Sequence, residues 1–156
     1  MGGMLLEGMP STSKSFQHFR DALVGKRVSR VWRGYGSALF LELGELSASD
    51  QGEASISIEW SWRIEHGDRI VCGSWSEEEG WPAAFEMLHG KVLTEIALFG
   101  LIPEIAIGLE GDLRLISFMT SAGYPRWNLI LRDQAADKWL SVSKGRIVRH
   151  DGSLID

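Results

Sequence analysis

The chain has 156 residues, of which 44% are hydrophobic and 24% charged, a composition that can build a real core in one ordinary domain and argues against disorder. Its net charge of −5 and pI near 5.4 argue against nucleic acid as a partner, because displacing counterions from a phosphate backbone takes clustered Lys and Arg. The single cysteine excludes an internal disulfide.

In chain order, the first signal is the spacing of Phe16, Phe19 and Leu23, which predicts a short amphipathic helix over about residues 14–24, stopped by Gly25. Preceding it, MGGMLLEGMP lacks a basic region and carries Glu7, so it does not read as a signal peptide, and no apolar run approaches a membrane span; with the lone Cys72, a cytoplasmic setting is expected. The stretch RVSRVWRG follows as a first strand, in which Val28 and Val31 are three apart and share a face only through a bulge. The basic residues Lys26, Arg27, Arg30 and Arg33 read as its solvated face. Gly34-Tyr35-Gly36 resembles a nucleotide loop but opens onto a strand, which removes the anion-binding helix terminus. Leu39, Leu41 and Leu43 then alternate with Phe40 and Glu42.

The clearest strand pattern is ASISIEWSWRIE, with Ile56, Ile58, Trp60, Trp62 and Ile64 expected on one buried face and Ser57, Glu59, Ser61 and Arg63 on a wet one. A two-residue turn at His66-Gly67 should pair it with RIVCGSW, where Cys72 reads as a small buried hydrophobe. Pro82 is a good first helical position, so a second short helix is expected from Pro82 to His89, stopped by Gly90 and burying Trp81, Phe85 and Leu88. The strands KVLTEIALF, EIAIGLEGD and LRLISFMTS follow, the last two joined by a tight turn at Gly111-Asp112. A corner at Gly123-Tyr124-Pro125 leads to Trp127, Leu129 and Leu131, and a terminal hairpin turns at Lys144-Gly145.

Two stretches match one another. LVGKRVSRV, starting at Leu23, aligns with LHGKVLTEI, starting at Leu88: Gly25 falls on Gly90, Lys26 on Lys91 and Val31 on Ile96, at a constant offset of 65 residues. One inserted residue later, Leu39, Leu41 and Leu43 fall on Ile105, Ile107 and Leu109. The expected fold is therefore α+β, a single domain over residues 1–156 with mainly antiparallel sheet, two short helices, and an internal repeat of a helix-plus-hairpins unit at 14–75 and 80–150. Units of this size bury too little surface to be stable alone, so the two should share a core.

Chemistry leaves little trace. The histidines His18, His66, His89 and His150 are far apart, no metal site is expected, and no cofactor or nucleophile motif appears, so no catalytic residue is assigned and the chain does not read as an enzyme. Glu59, Glu65 and Asp68 lie close together but read as solvated hairpin charge. The oddity is seven tryptophans, five of which (Trp60, Trp62, Trp75, Trp81 and Trp127) fall beside the junction of the two copies, either as core or as a binding surface. The segments WSWRIE from Trp60, CGSWS from Cys72, LFGLIPEI from Leu98 and SFMT from Ser117 resemble a family of small bacterial proteins of unknown function. That resemblance implies the α+β build and supplies no catalytic residues; some domains of this build sit among genes for polymorphic toxins and their immunity proteins. The function expected is a non-enzymatic module that binds a protein partner, or a second copy of itself, through a sheet face or edge. The alternative is a small-ligand protein with an aromatic pocket between the copies. Trp60, Trp62, Arg63, Trp75, Arg126 and Trp127 are the candidate ligand or interface residues for either reading.

Overall fold

In the computed structural model, residues 14–121, 126–132 and 137–149 are described. Helix α1 (Lys14–Leu23) buries Phe16, Phe19 and Leu23, the stripe that the spacing dictates. Five strands follow: β1 (Val28–Arg33), β2 (Leu39–Leu43), β3 (Ala54–Ile58), β4 (Trp62–His66) and β5 (Arg69–Gly73). A 3-10 turn (Glu78–Gly80) leads into helix α2 (Trp81–Leu88), with Pro82 in its first turn, where a missing N–H does no harm. Six more strands complete the described chain: β6 (Leu93–Phe99), β7 (Glu104–Leu109), β8 (Leu113–Ser117), β9 (Trp127–Leu131), β10 (Lys138–Ser143) and β11 (Arg146–Arg149). The α+β class holds, with two short helices and mainly antiparallel sheet.

Every strand pair is antiparallel, in two sheets of order β1-β2-β3-β9-β10-β11 and β5-β4-β8-β7-β6. Each sheet therefore takes three consecutive strands from one half of the chain and the remaining strands from the other half. The apolar residues of both sheets and both helices form one buried cluster, as units too small to seal cores of their own require.

The predicted single strand from Ile56 to Ile64 is two strands in different sheets. β3 pairs with β2 and β9, whereas β4 pairs with β5 and β8, and the chain changes sheet at residues 59–61. The corner is pinned by two hydrogen bonds, from the Glu59 N–H to the Arg126 carbonyl (3.0 Å) and from the Phe118 N–H to the Ser61 carbonyl (2.9 Å). Trp60 consequently leaves the buried face and is 56% exposed. The second face of β3 is not wet either: Ser55 and Ser57 are buried. The hairpin turn lies one residue later than expected, at Gly67-Asp68, since His66 pairs with Arg69; glycine at the first central position, with φ +63°, suits a type II′ turn. The β7–β8 turn, expected at Gly111-Asp112, holds three residues, 110–112. Gly123-Tyr124-Pro125 lies outside the described residues.

The expected bulge in β1 is present between Val28 and Arg30, and β6 shifts register between Leu93 and Glu95. The two halves meet where α1 and α2 end. Gly25 and Gly90 have φ of +96° and +81°, and nothing lies within 4 Å of where a Cβ would be, so backbone conformation and not space demands glycine there. The Gly25 N–H donates to the Leu93 carbonyl and the Gly90 N–H to the Val28 carbonyl, both at 2.8 Å. The Val28 N–H donates to Lys91 and the Leu93 N–H to Lys26, again at 2.8 Å, around an antiparallel bridge between Arg27 and Val92.

Candidate functional site

The candidate tryptophans separate by what their indole N–H finds. Trp62 and Trp127 are 2% and 0% exposed and each satisfies its one indole donor, whereas the buried Trp81 Nε1 finds no partner among the described residues. Trp62 Nε1 donates to the Ser37 carbonyl at 2.6 Å, and Trp127 Nε1 to the Pro103 carbonyl at 2.9 Å. Each indole thus props a hairpin loop, the β1–β2 loop in one case and the β6–β7 loop in the other. Trp62 also packs edge-on to Trp81 at 5.3 Å. These two rings are core, with different partners, and do not face one another across a pocket. Among the clefts on the described surface, four of about 430–520 Å3 are lined by none of the six candidate residues.

The two candidate arginines are engaged within the fold. Arg63 pairs with Glu65 at 2.7 Å and lies over the Phe118 ring, while the Arg126 guanidinium donates to the Val142 carbonyl at 3.4 Å. Glu65 is not the solvated hairpin charge that the sequence suggests, because Arg114 reaches it as well, at 3.0 Å, and its side chain is 13% exposed. Burial by itself would raise its pKa; hydrogen bonds and charge from Arg63 and Arg114 outweigh burial and hold the carboxyl below the ordinary carboxylate range. A group whose folded pKa is depressed contributes stability above its unfolded value, near ~4.3, and loses it as pH falls through the folded value. The stability difference between the parent and Glu65→Gln, followed by urea unfolding from neutral to acid pH, should therefore shrink below about pH 4.3. A difference that stays constant with pH would refute this linkage.

Besides Trp139 on β10, which is 41% exposed, three large rings lie outside. Tyr35 is 99% exposed, Trp75 93% and Trp60 56%. Their loops are bound to one another: Ser37 Oγ donates to the Trp60 carbonyl at 2.9 Å, and Trp62 and Ser74 exchange hydrogen bonds, Trp62 N–H to Ser74 Oγ (3.2 Å) and Ser74 N–H to the Trp62 carbonyl (2.9 Å). Each ring is rooted within two residues of one of these bonds, hence within roughly 8 Å of it along the chain. Arg33 extends the bracing, donating to the Gly36 carbonyl and to Glu78 at 2.7 and 2.6 Å while its guanidinium lies over the Trp81 ring. Loop 34–38, corner 59–61, turn 74–76 and the 3-10 turn therefore form one tip, presenting three aromatic rings on a hydrogen-bonded frame.

No family model, curated protein or solved structure matches this chain.

Glu59 accepts from the Arg126 N–H and from Asn128 Nδ2 at 3.3 and 3.2 Å, so it, like Glu65, is occupied in bracing strands. Cys72 is buried, and burial pushes its thiol up by more than hydrogen bonds with Ser76 and Gly73 offset, the reverse of an activated nucleophile. Among the described residues no three His, Cys, Asp or Glu side chains converge as metal ligands, and no helix is long and apolar enough to cross a membrane. The β1–β2 loop was missed as part of the site, although Tyr35 between two glycines and Trp75 between two serines carried a signal: a large ring set between small residues in a turn has nothing local to pack against.

Proposed function

We propose that this chain is a non-enzymatic interaction module that binds another protein through the tip bearing Tyr35, Trp60 and Trp75. The observation that carries the reading is the exposure of three large aromatic rings on mutually braced loops. Large rings left exposed to water are the side chains that interfaces enrich as anchors, and a frame already held by hydrogen bonds spares the ordering cost of docking. Glu59 and Glu65, the hairpin carboxylates grouped in the sequence, are held by structural partners, which favours binding over acid–base catalysis by them.

We also read the two halves as copies of one unit whose strands have exchanged sheets. The support is reciprocity: the glycine N–H bonds at the junction, and the indole bonds to Ser37 and Pro103, recur in the second half at an offset of 65 or 66 residues. On this reading the tip is where the copies differ, since the β6–β7 loop carries exposed Leu101 and Ile102 where the β1–β2 loop carries Tyr35. The resemblance to small bacterial domains found near toxin and immunity genes fits a cytoplasmic module of this kind, and a second copy of the chain is the other partner to test.

Trp75→Ala should melt with the parent, since a surface substitution changes stability by only about 0.5 kcal/mol, yet weaken partner binding by ~2 kcal/mol or more. Affinity capture from the native cytoplasm with parent and variant, followed by titration of what the parent retains, measures this. Equal retention by both proteins would sink the reading.

A further inference from the structure

Resting on that reading, we infer that the segment seated on the tip is cationic: a stretch of a partner protein carrying arginine and lysine side chains. The tip couples exposed rings to unbalanced negative charge. Glu77, Glu78 and Glu79 follow Trp75 after one serine, and all three are exposed. Arg33 neutralises Glu78, and it also donates to the Gly36 carbonyl and lies over the Trp81 ring. Glu77 and Glu79 make no ion pair among the described residues. A ring face attracts a cation through its quadrupole, and a guanidinium can lie flat on an indole while its edge donates to a carboxylate. The fold itself lays a guanidinium over a ring three times, Arg30 over Trp32 at 5.0 Å, Arg33 over Trp81 at 4.6 Å and Arg63 over Phe118 at 4.8 Å, and Arg33 and Arg63 donate to Glu78 and Glu65 as well. Trp75 and Tyr35 offer the same faces to an incoming chain, with free carboxylates alongside. The net charge of −5 steers such a partner inward and turns an acidic one or a nucleic acid away.

The test uses the full chain and three labelled peptides of equal length, Arg-Gly, Glu-Gly and Leu-Ser repeats, followed by fluorescence anisotropy. The Arg-Gly peptide should bind with an affinity that falls with salt, and binding should weaken at least tenfold both in Tyr35→Ala/Trp75→Ala and in Glu77→Gln/Glu79→Gln, with melting temperatures unchanged. Binding that survives loss of the rings is attraction to an acidic protein in general and overturns the inference. So does a Leu-Ser or Glu-Gly peptide that binds as well as the basic one, or no binding by any of them. The interaction reading falls separately, if a cellular partner is retained equally with and without Trp75. A partner whose retention needs Trp75 but is indifferent to Glu77→Gln/Glu79→Gln keeps that reading and removes this one.

Discussion

Trp127→Ala should lower the unfolding free energy by about 3–5 kcal/mol, as truncation of a large buried ring does, and the loss should grow because the Pro103 carbonyl is left without its donor, worth ~1–3 kcal/mol if water cannot reach it. A domain of this size has only about 5–15 kcal/mol to lose. At roughly 2–4 °C per kcal/mol the melting temperature should fall by on the order of 10–15 °C. Trp127→Phe keeps an aromatic ring but removes the N–H together with part of the indole, so it should cost less than Trp127→Ala while retaining the loss of about 1–3 kcal/mol from the orphaned carbonyl. Trp62→Ala should match Trp127→Ala and add the loss of the edge-on contact with Trp81, about 0.5–1.5 kcal/mol. Urea unfolding monitored by circular dichroism measures all three, with Trp75→Ala as the variant that should not move. A Trp127→Ala protein that unfolds with the parent would mean that the indole does not hold the β6–β7 loop.

How far the sequence carries depends on the range of the interaction that decides each feature. Gly25 and Gly90 stop helices because a left-handed residue closes the last turn, a local requirement visible in the spacing of the apolar residues before them. The Lys144-Gly145 turn, with both residues at positive φ, and the bulge at Val28 are equally local. The change of sheet at residues 59–61 is not. Ile58 and Trp62 are four apart, so alternation runs through the corner without a break, and only the pairing of β3 with β9 and of β4 with β8 shows that two strands are present. Those partners lie more than fifty residues away, and nothing in a period of two names them. The same blindness placed Trp60 and Trp62 on one face and imagined a pocket around Trp127. Of the six candidate residues, Trp60 and Trp75 reach the exposed tip, Trp62 and Trp127 are core, and Arg63 and Arg126 are engaged in bracing.

The pairing of β3 with β9, which joins the two halves in one sheet, carries its own charge network, and breaking it should be the second costly change. Glu42 on β2 is 2% exposed although it sits on the face of the sheet that alternation assigns to solvent. Its oxygens accept from Trp32 Nε1 at 2.8 Å, from the Gly52 N–H at 3.0 Å and from Ser55 Oγ on β3, and Arg132, just past β9, approaches to 3.6 Å. Arg132 Nη1 donates in turn to Ser55 Oγ and to the Gly52 carbonyl, at 2.6 and 3.2 Å. Carboxylate and guanidinium are both largely out of water, and stripping one partner from such a pair costs about 3–5 kcal/mol because the other charge stays buried uncompensated. Glu42→Ala should show that cost, and it also orphans the Trp32 and Gly52 donors. Arg132→Met should cost less, since the carboxylate keeps three donors. The double variant Glu42→Leu/Arg132→Met should then be more stable than the sum of the single changes predicts, by ~1–3 kcal/mol, because neither charge is left behind. Additive losses in that cycle would show that the two groups are solvated independently, and that apolar packing alone holds β9 against β3.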